Sequence, residues 1–126
     1  MFRQILAAAT LVGAMTAPAL AEGDAEAGEK VFKKCKACHA VGDKAKNKVG
    51  PILNGIVGAP AGQVEGFKYS DALMEMAEGG LVWDEASLSA FLTKPKDFMK
   101  GTKMSFAGLR KEKDLANVIA YLATFE

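Results

Sequence analysis

The chain has 126 residues, half of them apolar and a quarter charged, and a formal charge of +1. That balance excludes a disordered tail, a collagen-like repeat and a polytopic membrane protein, and it argues against a general nucleic-acid binder. Its two cysteines stand three positions apart, too few and too close to form a disulfide framework.

The first segment reads as an address. Met1-Phe2-Arg3-Gln4 holds the only charge before Glu22, and an apolar run from Ile5 to Met15 follows it. Ala17-Pro18-Ala19-Leu20-Ala21 then places small residues, Ala19 and Ala21, where a signal peptidase reads. The run is shorter than the ~20 apolar residues a spanning helix needs, so a membrane anchor is disfavoured and no stable membrane insertion is expected. We expect residues 1–21 to be removed as a secretory signal peptide, with cleavage after Ala19 as the alternative. Residues 22–126 then form one domain with fifteen basic and fifteen acidic groups, exported into an oxidising compartment.

The domain reads as all-α. From Asp24 to Lys36 the residues favour helix: Asp24 caps it, acids fill the first turn and lysines lie near the end. Val31, Cys35 and Cys38 repeat at helical spacing, with Phe32 beside them. The stretch from Gly42 to Gly66 is rich in Gly and Pro, without a helix or strand period, and reads as loop. Ser70-Asp71 opens a second helix through Leu73, Met74 and Met76. Asp84 caps a third, with Leu88, Phe91 and Leu92 on one stripe. The last begins near Glu112 and carries Leu115, Val118, Ile119 and Leu122 at i, i+3, i+4 and i+7. So long a loop in so small a domain needs something to pack against, and a large apolar cofactor would serve.

Cys35-Lys36-Ala37-Cys38-His39 is the strongest signal. Two thiols at this spacing can each add to one vinyl group of a single haem, and the adjacent imidazole then falls beneath the iron; C-x-x-C-H is the haem c attachment motif. A thioredoxin-type dithiol would need a βαβ context, and a structural zinc site would need a fourth ligand that two Cys and one His do not supply. A local disulfide is the remaining plain reading. His39 is the sole histidine, so a sixth iron ligand must come from elsewhere or the position is open. Residues 22–126 offer Met74, Met76, Met99 and Met104. Met74 and Met76 sit on a helix-like segment and read as packing residues. Met104 lies in the glycine-opened loop Gly101-Thr102-Lys103-Met104-Ser105-Phe106 after Pro95, a setting that favours it over Met99.

Five motifs occur in order: Cys35-x-x-Cys38-His39, Gly50-Pro51-x-Leu53, Gly66-Phe67-x-Tyr69-Ser70-Asp71-Ala72, Trp83, and Gly101-Thr102-Lys103-Met104-x-Phe106-Ala107-Gly108. Together they resemble class I c-type cytochromes, and among these bacterial cytochrome c2, across essentially all of residues 22–126. The resemblance implies a small cytochrome c fold, with short helices and long loops wrapped around one haem c attached through Cys35 and Cys38. It implies first and last helices that cross where Gly28 and Phe32 meet Tyr121. His39 and Met104 would be the axial ligands, and the Pro51 carbonyl would accept the other ring N–H of His39. Tyr69, Trp83 and Thr102 would donate hydrogen bonds to the haem propionates. The chain departs from the mitochondrial pattern at Ala59, Leu73, Phe91 and Lys100, and its stretch from Ala72 to Trp83 is longer; each bears on tuning of the iron and none removes a ligand.

A haem with both axial positions filled leaves one-electron transfer, so the expected function is a soluble, monomeric periplasmic carrier in a Gram-negative bacterium and not an enzyme. The rival is a haem enzyme or gas-binding protein with a labile sixth ligand. The resemblance implies partners such as a cytochrome bc complex, a photosynthetic reaction centre or a terminal oxidase. Charge is segregated along the chain: residues 30–48 hold seven lysines against Asp43 and residues 94–103 four against Asp97, whereas 22–29 and 65–85 are acidic. The two basic blocks are those that carry His39 and Met104, which predicts a basic face toward acidic-faced redox proteins.

Overall fold

The computed structural model describes residues 23–126; the expected signal peptide lies outside the described residues. Five helices follow in order: α1 (Ala25–Phe32), α2 (Asp71–Glu78), α3 (Glu85–Thr93), α4 (Pro95–Phe98) and α5 (Glu112–Ala123). Among the described residues there is no β-strand beyond an isolated bridge, and no helix is long and apolar enough to cross a membrane.

The caps behave as the sequence requires. The Asp24 carboxylate accepts from the N–H groups of Glu26 and Ala27, the Ser70 hydroxyl from Leu73, and the Asp84 carboxylate from Ser87. Each satisfies donors that a helix start leaves without intrahelical partners. Hydrogen bonding from the Ser87 backbone, then from its side chain, holds the Asp84 carboxyl below its usual range.

α1 is shorter than the run Asp24–Lys36 predicts. After Phe32 the amides reach back three residues instead of four, Lys33 to Lys30, Lys34 to Val31 and Cys35 to Phe32 at 2.7 Å. The tightened turns satisfy the last helical carbonyls and carry the chain out of the α-helix before the first cysteine. α4 is a single turn absent from the sequence reading, with Pro95 at its start, where the missing N–H costs nothing.

Residues 42–66 run as loop, apart from one ladder. Gly58 donates to the Trp83 carbonyl at 2.7 Å, Trp83 to Ala59 at 2.8 Å and Ala61 to Leu81 at 2.9 Å, around an isolated antiparallel bridge between Pro60 and Val82. That ladder fixes the backbone on either side of the buried Trp83. Its indole lies 5.1 Å from the Phe91 ring and 6.4 Å from Phe98 by centroid, and Phe91 and Phe98 are 5.9 Å apart.

The core sits between α1, α3 and α5. Leu115, Val118, Ile119 and Leu122 of α5 are all buried, each worth about 1.5–3 kcal/mol when fully removed from water. α1 crosses α5 closely: a Cβ at Gly28 would run into the Asn117 backbone and the Tyr121 side chain. The Phe32 and Tyr121 rings stand 5.4 Å apart there. Buried Asn117 turns its Oδ1 to the Asp24 N–H at 2.9 Å, so α5 also holds the start of α1. Gly28→Val should therefore force the helices apart and lower stability by about 1–3 kcal/mol. A thermal melt reads this, and an unchanged midpoint would contradict the close crossing.

Candidate haem site

The turns after α1 present the pentapeptide. The N–H groups of Cys38 and His39 both bond to the Cys35 carbonyl, at 3.1 and 2.9 Å, which curls the segment so that its two thiols and its imidazole are held by one local structure. Cys35, Cys38 and His39 are all half-buried. The two thiols are not joined to each other. Burial pushes the Cys35 thiol above its ordinary range, the neighbouring Cys38 adds to this, and Lys34 opposes it.

A second segment lies alongside. Gly50 donates to the Cys38 carbonyl at 2.8 Å and Leu53 to the Ala40 carbonyl at 3.1 Å. Between these bonds the Pro51 carbonyl stands 2.8 Å from Nδ1 of His39. A carbonyl can only accept, so Nδ1 carries the proton and Nε2 keeps its lone pair. Burial lowers the tendency of His39 to take a second proton, with the Pro51 hydrogen bond opposing. The ring is thus a neutral, oriented donor, the form a metal ligand requires. Gly50 lies against the imidazole face, and any Cβ there would run into the ring.

Met104 follows a turn in which Thr102 donates from its N–H to the Met99 carbonyl at 3.1 Å, while its hydroxyl accepts from the Met104 N–H at 3.2 Å. Met104 is half-buried against the core; Met99, the alternative, is 1% exposed and fills the core. Met76 is half-buried and Met74 is 39% exposed, so Met74 is not the core residue its helical spacing suggested.

The three expected propionate donors sit on separate elements and make no hydrogen bond with one another among the described residues. The Tyr69 hydroxyl accepts from the Val64 N–H at 2.8 Å and keeps its own proton to donate. Burial raises its pKa and the Val64 bond opposes that. Thr102 likewise uses an oxygen lone pair and retains its hydroxyl hydrogen. Trp83 is buried in the aromatic cluster.

These residues fit a covalently bound haem. The two thiols of one turn suit covalent attachment, and an unprotonated imidazole nitrogen with a thioether sulfur would suit the iron. Partly buried apolar side chains (Leu53, Val57, Leu73, Met76 and Phe106) pack against the core with part of their surface left uncovered, as a flat apolar group would need.

Sequence reasoning missed Asn47. Its Oδ1 accepts from the Ile52 N–H at 2.9 Å and its Nδ2 donates to the Glu65 carbonyl at 3.1 Å, joining the Pro51 segment to the loop before Tyr69. An asparagine in a Gly-rich loop signals a turn, and nothing in the sequence announces a partner eighteen residues away.

A small all-α domain whose loops enclose a C-x-x-C-H turn and an oriented imidazole defines a c-type haem protein. The cytochrome c family model matches residues 25–126, and the chain belongs to that family. It is 53% identical over 109 residues to cytochrome c2 of Rhodomicrobium vannielii, covering 86% of this chain and 85% of that one. The solved structure of cytochrome cH from Methylobacterium extorquens is similar at 50% identity and a TM-score of 0.73, covering 81% of this chain and 99% of that one. Cytochrome c2 from Rhodospirillum centenum is similar at 40% identity and a TM-score of 0.79, covering 82% and 99%. The fold is the small cytochrome c fold, and the family together with Cys35 and Cys38 fits one covalently attached haem c.

Gly50→Val should displace the His39 ring and weaken its bond to Pro51. The expected result is a lower guanidinium midpoint together with faster solvent exchange of the Nδ1 proton. Unaltered exchange would contradict the packing of Gly50 on the ring.

Proposed function

We propose that the chain is a soluble one-electron carrier of the periplasm, exported by removal of residues 1–21 and working as a monomer, not an enzyme. The observation that carries this reading is the 2.8 Å contact between Nδ1 of His39 and the Pro51 carbonyl, which leaves Nε2 free beside two half-buried thiols.

In this reading Cys35 and Cys38 hold the haem by thioether bonds. Nε2 of His39 and Sδ of Met104 would be the two protein ligands of its iron, which would leave none for dioxygen, peroxide or substrate. The bound haem supplies a reversible one-electron change at iron, at a potential that a His/Met pair and burial both raise. Tyr69, Trp83 and Thr102 would hold the propionates by donating hydrogen bonds.

The lysines supply direction. All eleven in the blocks 30–48 and 94–103 are exposed. The sole ion pair among the described residues is Lys94–Asp97 at 4.0 Å, with both side chains exposed, and such a pair contributes little. The remaining charge is available to orient the molecule toward acidic-faced partners, such as a cytochrome bc complex, a reaction centre or a terminal oxidase. Such a field speeds encounter more than it tightens binding.

Met104→Ala should keep its covalent haem, lower the reduction potential and let the reduced protein bind carbon monoxide. Met99→Ala should instead cost about 2–5 kcal/mol of stability by leaving a core cavity, without carbon monoxide binding. The reverse pattern would reject Met104 as the ligand. For docking, Lys36→Glu or Lys103→Glu should slow second-order electron transfer to an acidic-faced partner and flatten its salt dependence, as the Debye length falls from ~10 Å at 0.1 M to ~3 Å at 1 M. Glu75→Lys or Glu78→Lys should do much less, and stopped-flow rates across a salt series would expose equal effects.

A further inference from the structure

The Pro51–Ile52 peptide is bonded at both ends. Its C=O faces Nδ1 of His39 at 2.8 Å and its N–H donates to Oδ1 of Asn47 at 2.9 Å. The Asn47 amide is itself fixed, because Nδ2 donates to the Glu65 carbonyl at 3.1 Å. Reversing the amide would set donor against donor at Ile52 and acceptor against acceptor at Glu65, so only one orientation satisfies both ends. The result is a continuous chain of hydrogen bonds: Glu65 carbonyl, Asn47 amide, Pro51–Ile52 peptide, His39 imidazole.

Hydrogen bonds in series polarise one another. An acceptor on the Ile52 N–H moves electron density toward the Pro51 oxygen, which makes that oxygen a stronger acceptor for the Nδ1 proton. A more strongly held Nδ1 proton leaves Nε2 a stronger electron donor. We propose that Asn47 is a positioning residue that sets the donor strength of His39 through the Pro51–Ile52 peptide, and thereby lowers the reduction potential. The proposal rests on His39 being an axial ligand. A stronger donor at Nε2 favours the oxidised state because that state carries the additional positive charge.

Two substitutions in the haem-loaded protein separate this role from simple loop bracing. Asn47→Leu removes both bonds. Asn47→Asp keeps an oxygen for the Ile52 N–H, now a charged and stronger acceptor, and loses the donor to Glu65. Both variants should melt at a lower temperature than the parent, since each loses the tie to the Glu65 loop. Their effects on His39 should be opposite. In Asn47→Leu the potential rises and the Nδ1 proton resonance of the reduced protein moves upfield; in Asn47→Asp the potential falls and that resonance moves downfield.

Should the leucine variant fail to fold, the aspartate variant alone still decides. A carboxylate acting only through space would lower the potential without moving the Nδ1 proton downfield, and that outcome overturns the proposal. Potentials that shift in the same direction in both variants, or an Nδ1 resonance indifferent to both, also overturn it. If the Nδ1 resonance moves in opposite directions while the potential stays constant, the hydrogen-bond chain exists but control of the potential by Asn47 is overturned. The ligand reading fails separately, if the iron of the unaltered protein has no imidazole ligand.

Discussion

The hydrogen bond between Nδ1 of His39 and the Pro51 carbonyl ties the chemistry of the site to the path of the backbone. It fixes which ring nitrogen carries the proton, and so which nitrogen can bind a metal. For the bond to form, residues 50–53 must run beside residues 38–40, and they do so through the Gly50–Cys38 and Leu53–Ala40 bonds. For those segments to approach so closely, residue 50 must lack a side chain, because the ring occupies that space. Haem attachment, ring orientation and loop path therefore depend on one short stretch of chain.

The helices supply the frame for this arrangement. α1 leads directly into the cysteine turns, and α5 holds α1 at both ends, through the Asn117–Asp24 bond at its start and the Phe32–Tyr121 contact at its end. A domain of this size has a modest core, and much of it is spent on the contact among α1, α3 and α5. The loops on the other side rest on individual devices instead: the Trp83 ladder, the Asn47 amide and the Tyr69 hydroxyl. Their apolar side chains remain only partly buried by protein. Such loops gain from a large apolar group to pack against, which makes cofactor attachment part of the folding problem.

Much of the fold was legible because local chemistry decides it. Asp24, Ser70 and Asp84 sit where caps belong, and the apolar period of α5 marks its buried face without tertiary information. The C-x-x-C-H turn was legible because covalent attachment demands a fixed spacing. The rest depends on distant partners. α4 is one turn, too short to show a period. The early end of α1 follows from three-residue hydrogen bonds that residues of ordinary helix propensity do not advertise. Met74 has helical spacing, yet its side of α2 is left partly open to solvent. Asn47 and Asn117 are ordinary polar residues in the sequence, and each acquires its role only when a carbonyl or an N–H from far along the chain arrives beside it.

The proposed iron ligands are Nε2 of His39 and Sδ of Met104. X-ray absorption at the iron edge of the haem-loaded protein reads that ligand set directly in both redox states. The account predicts a single sulfur scatterer beside the pyrrole and imidazole nitrogens, present in the oxidised and the reduced protein alike and lost in Met104→Ala. A nitrogen- or oxygen-only shell in the unaltered protein, or a sulfur that leaves on reduction, would contradict it.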